Sequence, residues 1–115
     1  MLHEKKWKRE CENEIEHAIT ARVNGNEGMA RVSARRAAGI IIGEYLFRRG
    51  YTNLSNSAFN RLSMFISLPD VDDQYRDIAN HFLLKVNSDR NLPDNVDLIH
   101  DAKLLADNLL SENMG

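Results

Sequence analysis

Apolar residues recur at steps of three and four along most of this chain and nowhere alternate with a period of two, so the pattern predicts helices and no strand. From about Glu4 to Val23, Trp7, Cys11, Ile15, Ala18 and Ile19 share one face of an amphipathic helix whose other face is charged. The stretch Asn24-Gly25-Asn26-Glu27-Gly28 stops it, because Asn and Gly accept the positive φ angles of a helix end and turn. A second helix follows from about Met29 to Arg49, closed by Gly50. Ser55 or Asn56 is placed to cap a third, from about Ser57 to Ser67, with Pro69 beyond its end. A fourth begins at Asp72 or Asp73, and Tyr75, Ile78, Ala79, Phe82, Leu83 and Val86 carry its spacing to about Asn87. After a polar connector over Ser88 to Pro93, a fifth helix is expected from about Val96 to Ser111.

The second helix is the one the others are arranged around. An ordinary surface helix shows an apolar stripe about 100° wide, whereas the residues from Ala37 to Gly43 are apolar or small in every direction. Such a helix is buried on most sides. A membrane span needs about 20 apolar residues, and Glu44 interrupts this run long before that. Ala30, Ala34 and Ala38 fall four apart, as do Gly39 and Gly43, so two flanks lack bulk and invite close approach by neighbouring helices. The fold expected is all-α, a compact bundle of about five helices around a buried central helix, with residues 1–115 forming a single domain.

Composition alters this picture little. With 43% hydrophobic and 28% charged residues the chain has the make-up of an ordinary globular protein. The lone Cys11 has no internal disulfide partner, and residues 1–16 lack the apolar core of a signal peptide, so the cytoplasm is the expected location. Charge adds more. The net value of −2 combines +4 between Arg22 and Arg49 with −6 from Asp70 onward. Opposed halves attract within one molecule or between two, and together with the close-packing helix and apolar Leu104 and Leu110 they lead us to expect a homodimer.

Candidate chemistry is sparse. In Arg76-Asp77-Ile78-Ala79-Asn80-His81 an arginine precedes a histidine by four intervening residues. The pattern resembles the signature of the HEPN superfamily, small all-α bundles that often dimerise. The resemblance implies a metal-independent ribonuclease in which Arg76 stabilises the pentacovalent phosphate and His81 handles a proton. On one straight helix the two side chains lie about 140° apart. They converge only across a dimer interface or if the helix starts after Arg76. The alternative is structural, with Arg76 paired to Asp72 or Asp73 and His81 at a core edge.

Glu14 with His17, and Asp97 with His100, repeat an acid-x-x-His spacing found in di-iron bundles, but both pairs lie off the apolar stripes and should face solvent, so no metal is implied. Nor is a cofactor. Glu44 is a carboxylate inside a buried helix, with Arg48 one turn later as its natural partner. Arg31, Arg35, Arg36 and Glu44 are the candidate binding residues. Arg31 and Arg35 are one turn apart while Arg36 points elsewhere, so no continuous basic stripe is expected, and pairing with the acidic C-terminal half is favoured over a nucleic-acid surface. The leading functional expectation is a non-enzymatic module for protein–protein interaction or self-association, with an unnamed protein partner and no membrane. The competing one is the ribonuclease, with RNA as its substrate.

Overall fold

Three of the helices begin where a short polar side chain holds their first free N–H groups. The computed structural model describes residues 2–110, with side chains from residue 6 onward. It places five α-helices among them and no strand: α1 Leu2–Val23, α2 Glu27–Arg48, α3 Ala58–Ser67, α4 Asp73–His81 and α5 Leu98–Leu104, the last continued by a wider π turn over Leu105–Leu109. Asn26 accepts from the Met29 N–H to open α2, Ser57 from Asn60 to open α3, and Asp97 from Ile99 and His100 to open α5. Gly25 takes a φ of +80° in the turn between α1 and α2, which a side chain would strain.

The cap of α3 is Ser57 rather than Ser55 or Asn56, because Ser55 Oγ is occupied by the Ser57 N–H and the Asn60 amide. The fourth helix is shorter than its apolar spacing suggests, and the reason is tertiary. Arg35 of α2 donates to the Phe82 carbonyl at 2.9 Å, and the Phe82 ring turns into the core. A carbonyl captured at a helix end has no need of another turn. The chain then runs irregularly from Leu83, folded over Asn87, whose side chain accepts from the Asp89 and Asn91 N–H groups. Val86 is left facing outward.

The core forms along α2. Ala30, Ala34, Ala37, Ala38, Ile41, Ile42, Tyr45 and Leu46 are buried against Cys11 and Ala18 of α1, Leu62 and Phe65 of α3, and Leu98, Ile99, Ala102, Leu105 and Leu109 of the last helix. Tyr45 and Phe65 meet edge to face with centroids 5.2 Å apart. The result is a compact all-α bundle with a Cα radius of gyration of 13.7 Å.

One expectation needs correction. Leu110 is buried, 6% exposed, and Leu104 is half-buried, so neither is a free apolar remainder; the most exposed large apolar residues are Val23, Phe59 and Phe47, at 79%, 58% and 56%. The central helix is buried on most sides, as its composition predicts, and open along one. Val32 and Ile40 are only half-buried and Arg36 and Phe47 are exposed, and these fall along one edge of α2.

Candidate functional site

That open edge of α2 is the floor of a trough about 22 Å long from Val32 to Phe47, at 1.5 Å per residue. Its geometry starts from two glycines. Gly39 lets the start of α3 come so near that a β-carbon there would stand 2.7 Å from Ala58 Cβ, and at Gly43 the guanidinium of Arg61 occupies the space a side chain would need. Arg61 is held there by main-chain oxygens, with Nε donating to the Ser55 carbonyl at 2.6 Å and Nη1 to the Gly39 carbonyl at 3.1 Å. Bulk at residue 39 would push the start of α3 away from α2, and bulk at residue 43 would displace the Arg61 guanidinium.

Three adjoining cavities make up the trough. The first, about 680 Å³, lies between the Gly25–Gly28 turn, Arg31, Val32, Arg35, Val86 and Arg90. Val32 and Arg35 also line the second, about 470 Å³, with Glu14, Arg36, Ile40 and Arg61 among its other walls. Ile40 and Arg61 carry on into the third, about 300 Å³, beside Trp7, Leu54 and Phe47. One end is therefore mainly basic, while the other sets Trp7, Leu54 and Phe47 beside Lys6, Glu10, Glu44 and Arg61.

All four candidate binding residues lie along this surface. Arg31 and Arg35 share the first cavity, Arg35 and Arg36 the second, and Glu44 lies on the third. Chain segments that sequence spacing cannot see add to the arginines of α2: α3 brings Arg61 beside them, and the connector after α4 brings Arg90. Arg36 and Arg90 make no side-chain hydrogen bond or ion pair with a described residue, while the charge of Arg31 acts on Glu27 in the same cavity. Burial pushes the Arg35 guanidinium below its ordinary range.

The carboxylates are spent differently. Glu44, 5% exposed, accepts from Arg48 at 2.8 Å as its spacing predicts, and Arg48 also lies over the Trp7 ring, 5.8 Å from its centroid. Glu14 does not face solvent. Its Oε1 is buried at the wall of the second cavity without a hydrogen-bond partner, 3.6 Å from His17 Nδ1. Asp97 is an N-cap and pairs with Arg22 at 3.1 Å. Among the described residues no group of His, Cys, Asp or Glu is clustered as metal ligands would be. Burial, with help from Glu12, Asp107 and Glu14, pushes the Cys11 thiol up to about 12.

Arg76 and His81 belong to different networks. Helix α4 starts at Asp73 and contains both, so the route in which the helix begins after Arg76 is closed. Arg76 donates to the Ile66 carbonyl at 3.0 Å and the Leu68 carbonyl at 2.7 Å, closing the end of α3, and pairs with Asp73. His81 Nδ1 lies 2.9 Å from Asp101 Oδ2, a carboxylate only 9% exposed on α5. Among the described residues no helix is long and apolar enough to cross a membrane. No protein-family model, curated protein or solved structure matches the chain.

Proposed function

We propose that the protein is a non-enzymatic interaction module of the cytoplasm, which holds a partner protein in the trough along α2 and also self-associates. The observation that carries this is the open edge of the core helix, where Arg36 and Arg90 have no partner among the described residues and stand near half-buried Ile40 and Arg31. A folded domain normally covers its central helix, and an uncovered stretch rimmed by unspent charge has the make-up of a recognition surface. Repeated affinity capture with the wild type and with Arg36→Glu tests it. The same partner should be recovered each time by the wild type and lost by the variant, whose stability should stay within about 0.5 kcal/mol because Arg36 is exposed. Capture indifferent to the substitution, or vigorous turnover of any substrate by the purified protein, would sink the reading.

A second reading, the HEPN-like ribonuclease, is favoured by one observation: His81 is partly exposed and held by a buried carboxylate, an arrangement that fixes an imidazole for proton transfer. Mixed single-stranded RNA with a chelator separates the two. As a module the wild type leaves RNA intact, and Arg76→Ala lowers stability by about 1–3 kcal/mol by abandoning the Ile66 and Leu68 carbonyls. Chelator-resistant cleavage lost in both Arg76→Ala and His81→Ala would establish the ribonuclease instead.

A further inference from the structure

The arginines of this chain are held in two ways. Arg22, Arg48, Arg49 and Arg76 meet carboxylates, which neutralise them. Arg35 and Arg61 meet main-chain carbonyls, which fix the guanidinium in place but leave its charge standing. These two line the same cavity of about 470 Å³ with Arg36, which has no partner among the described residues, and the one acid among its described walls is Glu14. Three cations against one carboxylate leave two positive charges unbalanced. Of five N–H donors on each guanidinium, Arg35 spends one and Arg61 two, so fixed donors remain for a further acceptor.

Resting on the interaction-module reading, we infer that the Arg35, Arg36 and Arg61 cavity is a phosphate subsite, which takes a phosphorylated serine or threonine of an extended segment in the partner protein. Charge selects among oxyanions. A phosphomonoester carries about −1.5 to −2 at neutral pH, matching the imbalance, whereas a carboxylate or a nucleic-acid phosphodiester carries a single charge. Three acceptor oxygens suit guanidinium donors already pinned in place, since little ordering is left to lose on binding. Among the described residues no aromatic side chain lines this cavity on which a base could stack, which argues against RNA.

The neighbouring cavity defines the rest of the ligand. Ile40 and Arg61 line both, and beyond them lie Trp7, Leu54 and Phe47. From Arg36, Ile40 is about 6 Å along α2 and Phe47 about 16 Å, so in a strand-like peptide at about 3.3 Å per residue an apolar side chain should sit about two to five residues from the phosphate.

The test uses the full chain, immobilised, and three matched peptide libraries with phosphoserine, glutamate or serine at a fixed position and all other positions degenerate. The phosphoserine library should be retained at least about tenfold better than either of the others, with aliphatic residues enriched at the predicted spacing. Arg36→Gln and Arg36→Glu should both lose that preference while melting like the wild type. Equal retention of phosphoserine and glutamate libraries, equal retention of all three, retention of none, or stronger binding of an oligouridine would each overturn the phosphate assignment. If serine peptides bind equally well through the trough, the module survives and only the subsite falls; if no partner is captured at all, the module falls with it.

Discussion

A β-carbon on Gly39 would meet Ala58 Cβ at 2.7 Å and Ala58 Cα at 2.9 Å, and neither atom can step aside without moving the start of α3. Gly39→Ala therefore sets about 1 kcal/mol of improved helix propensity against overpacking of about 1–3 kcal/mol, and a net loss of up to about 2 kcal/mol is expected in urea denaturation. At Gly43 the obstacle is the far end of the Arg61 side chain, which can swing away. Gly43→Ala should cost less stability than Gly39→Ala but release the guanidinium from the Gly39 carbonyl. A larger loss at residue 43 than at residue 39 would show that Arg61, rather than the approach of α3, holds this seam. The four-residue spacing of the two glycines was legible in the sequence as a demand for close approach. What fills each gap was not, because Ala58 and Arg61 come from another helix.

At the scale of elements, helices read well from periodicity and their ends read less well where the terminating group is distant. Helices α1 and α2 lie within two residues of the boundaries their apolar spacing indicates, since local caps decide them. Helix α4 stops six residues early because Arg35, in another helix, takes its last carbonyl, and no local pattern encodes that. The trough has the same origin: Arg31, Arg35 and Arg36 were visible as candidates, but Arg61 and Arg90 join them only through the fold. Arg22 is a further long-range tie, joining the last turn of α1 to Glu27 in the first turn of α2 at 2.7 Å and to the Asp97 cap of α5 at 3.1 Å. Arg22 holds the Glu27 carboxyl below its usual 4.5. Burial raises the Asp97 carboxyl, but Arg22 and the two capped N–H groups outweigh it and leave it below 3.8. With folded pKa values depressed, the stabilisation is present above the unfolded values and is lost as pH falls through the folded ones. Stability should thus decline below about pH 4.5 in the wild type, and less steeply in Arg22→Ala, whose main deficit appears near neutral pH. Urea midpoints from about pH 7 to about pH 3 measure this, and parallel profiles for the two proteins would remove Arg22 as the cause.

For the molecule as a whole, the opposed charge of its two halves is only partly consumed within it. Arg22 reaches Asp97 and Arg49 reaches Asp70, but Arg31, Arg36 and Arg90 remain on the trough while Asp72, Asp77 and Asp89 remain exposed on and beside α4. In a two-fold dimer every contact occurs twice with the roles exchanged, so the basic trough of one copy can face the acidic side of the other, and the reverse. Phe47, exposed at the far end of the trough, would supply burial that charge alone does not. Light scattering at low salt should accordingly show a dimer that dissociates as ionic strength rises through about 0.15 M, where the screening length falls to about 8 Å. Arg36→Glu should favour the monomer at every salt concentration, because it adds a like charge to the acidic face it would meet. A protein that stays monomeric at high concentration and low salt has no such contact. A dimer insensitive to both salt and Arg36→Glu would place its interface on apolar Phe59 of α3 and leave the trough free for a partner protein.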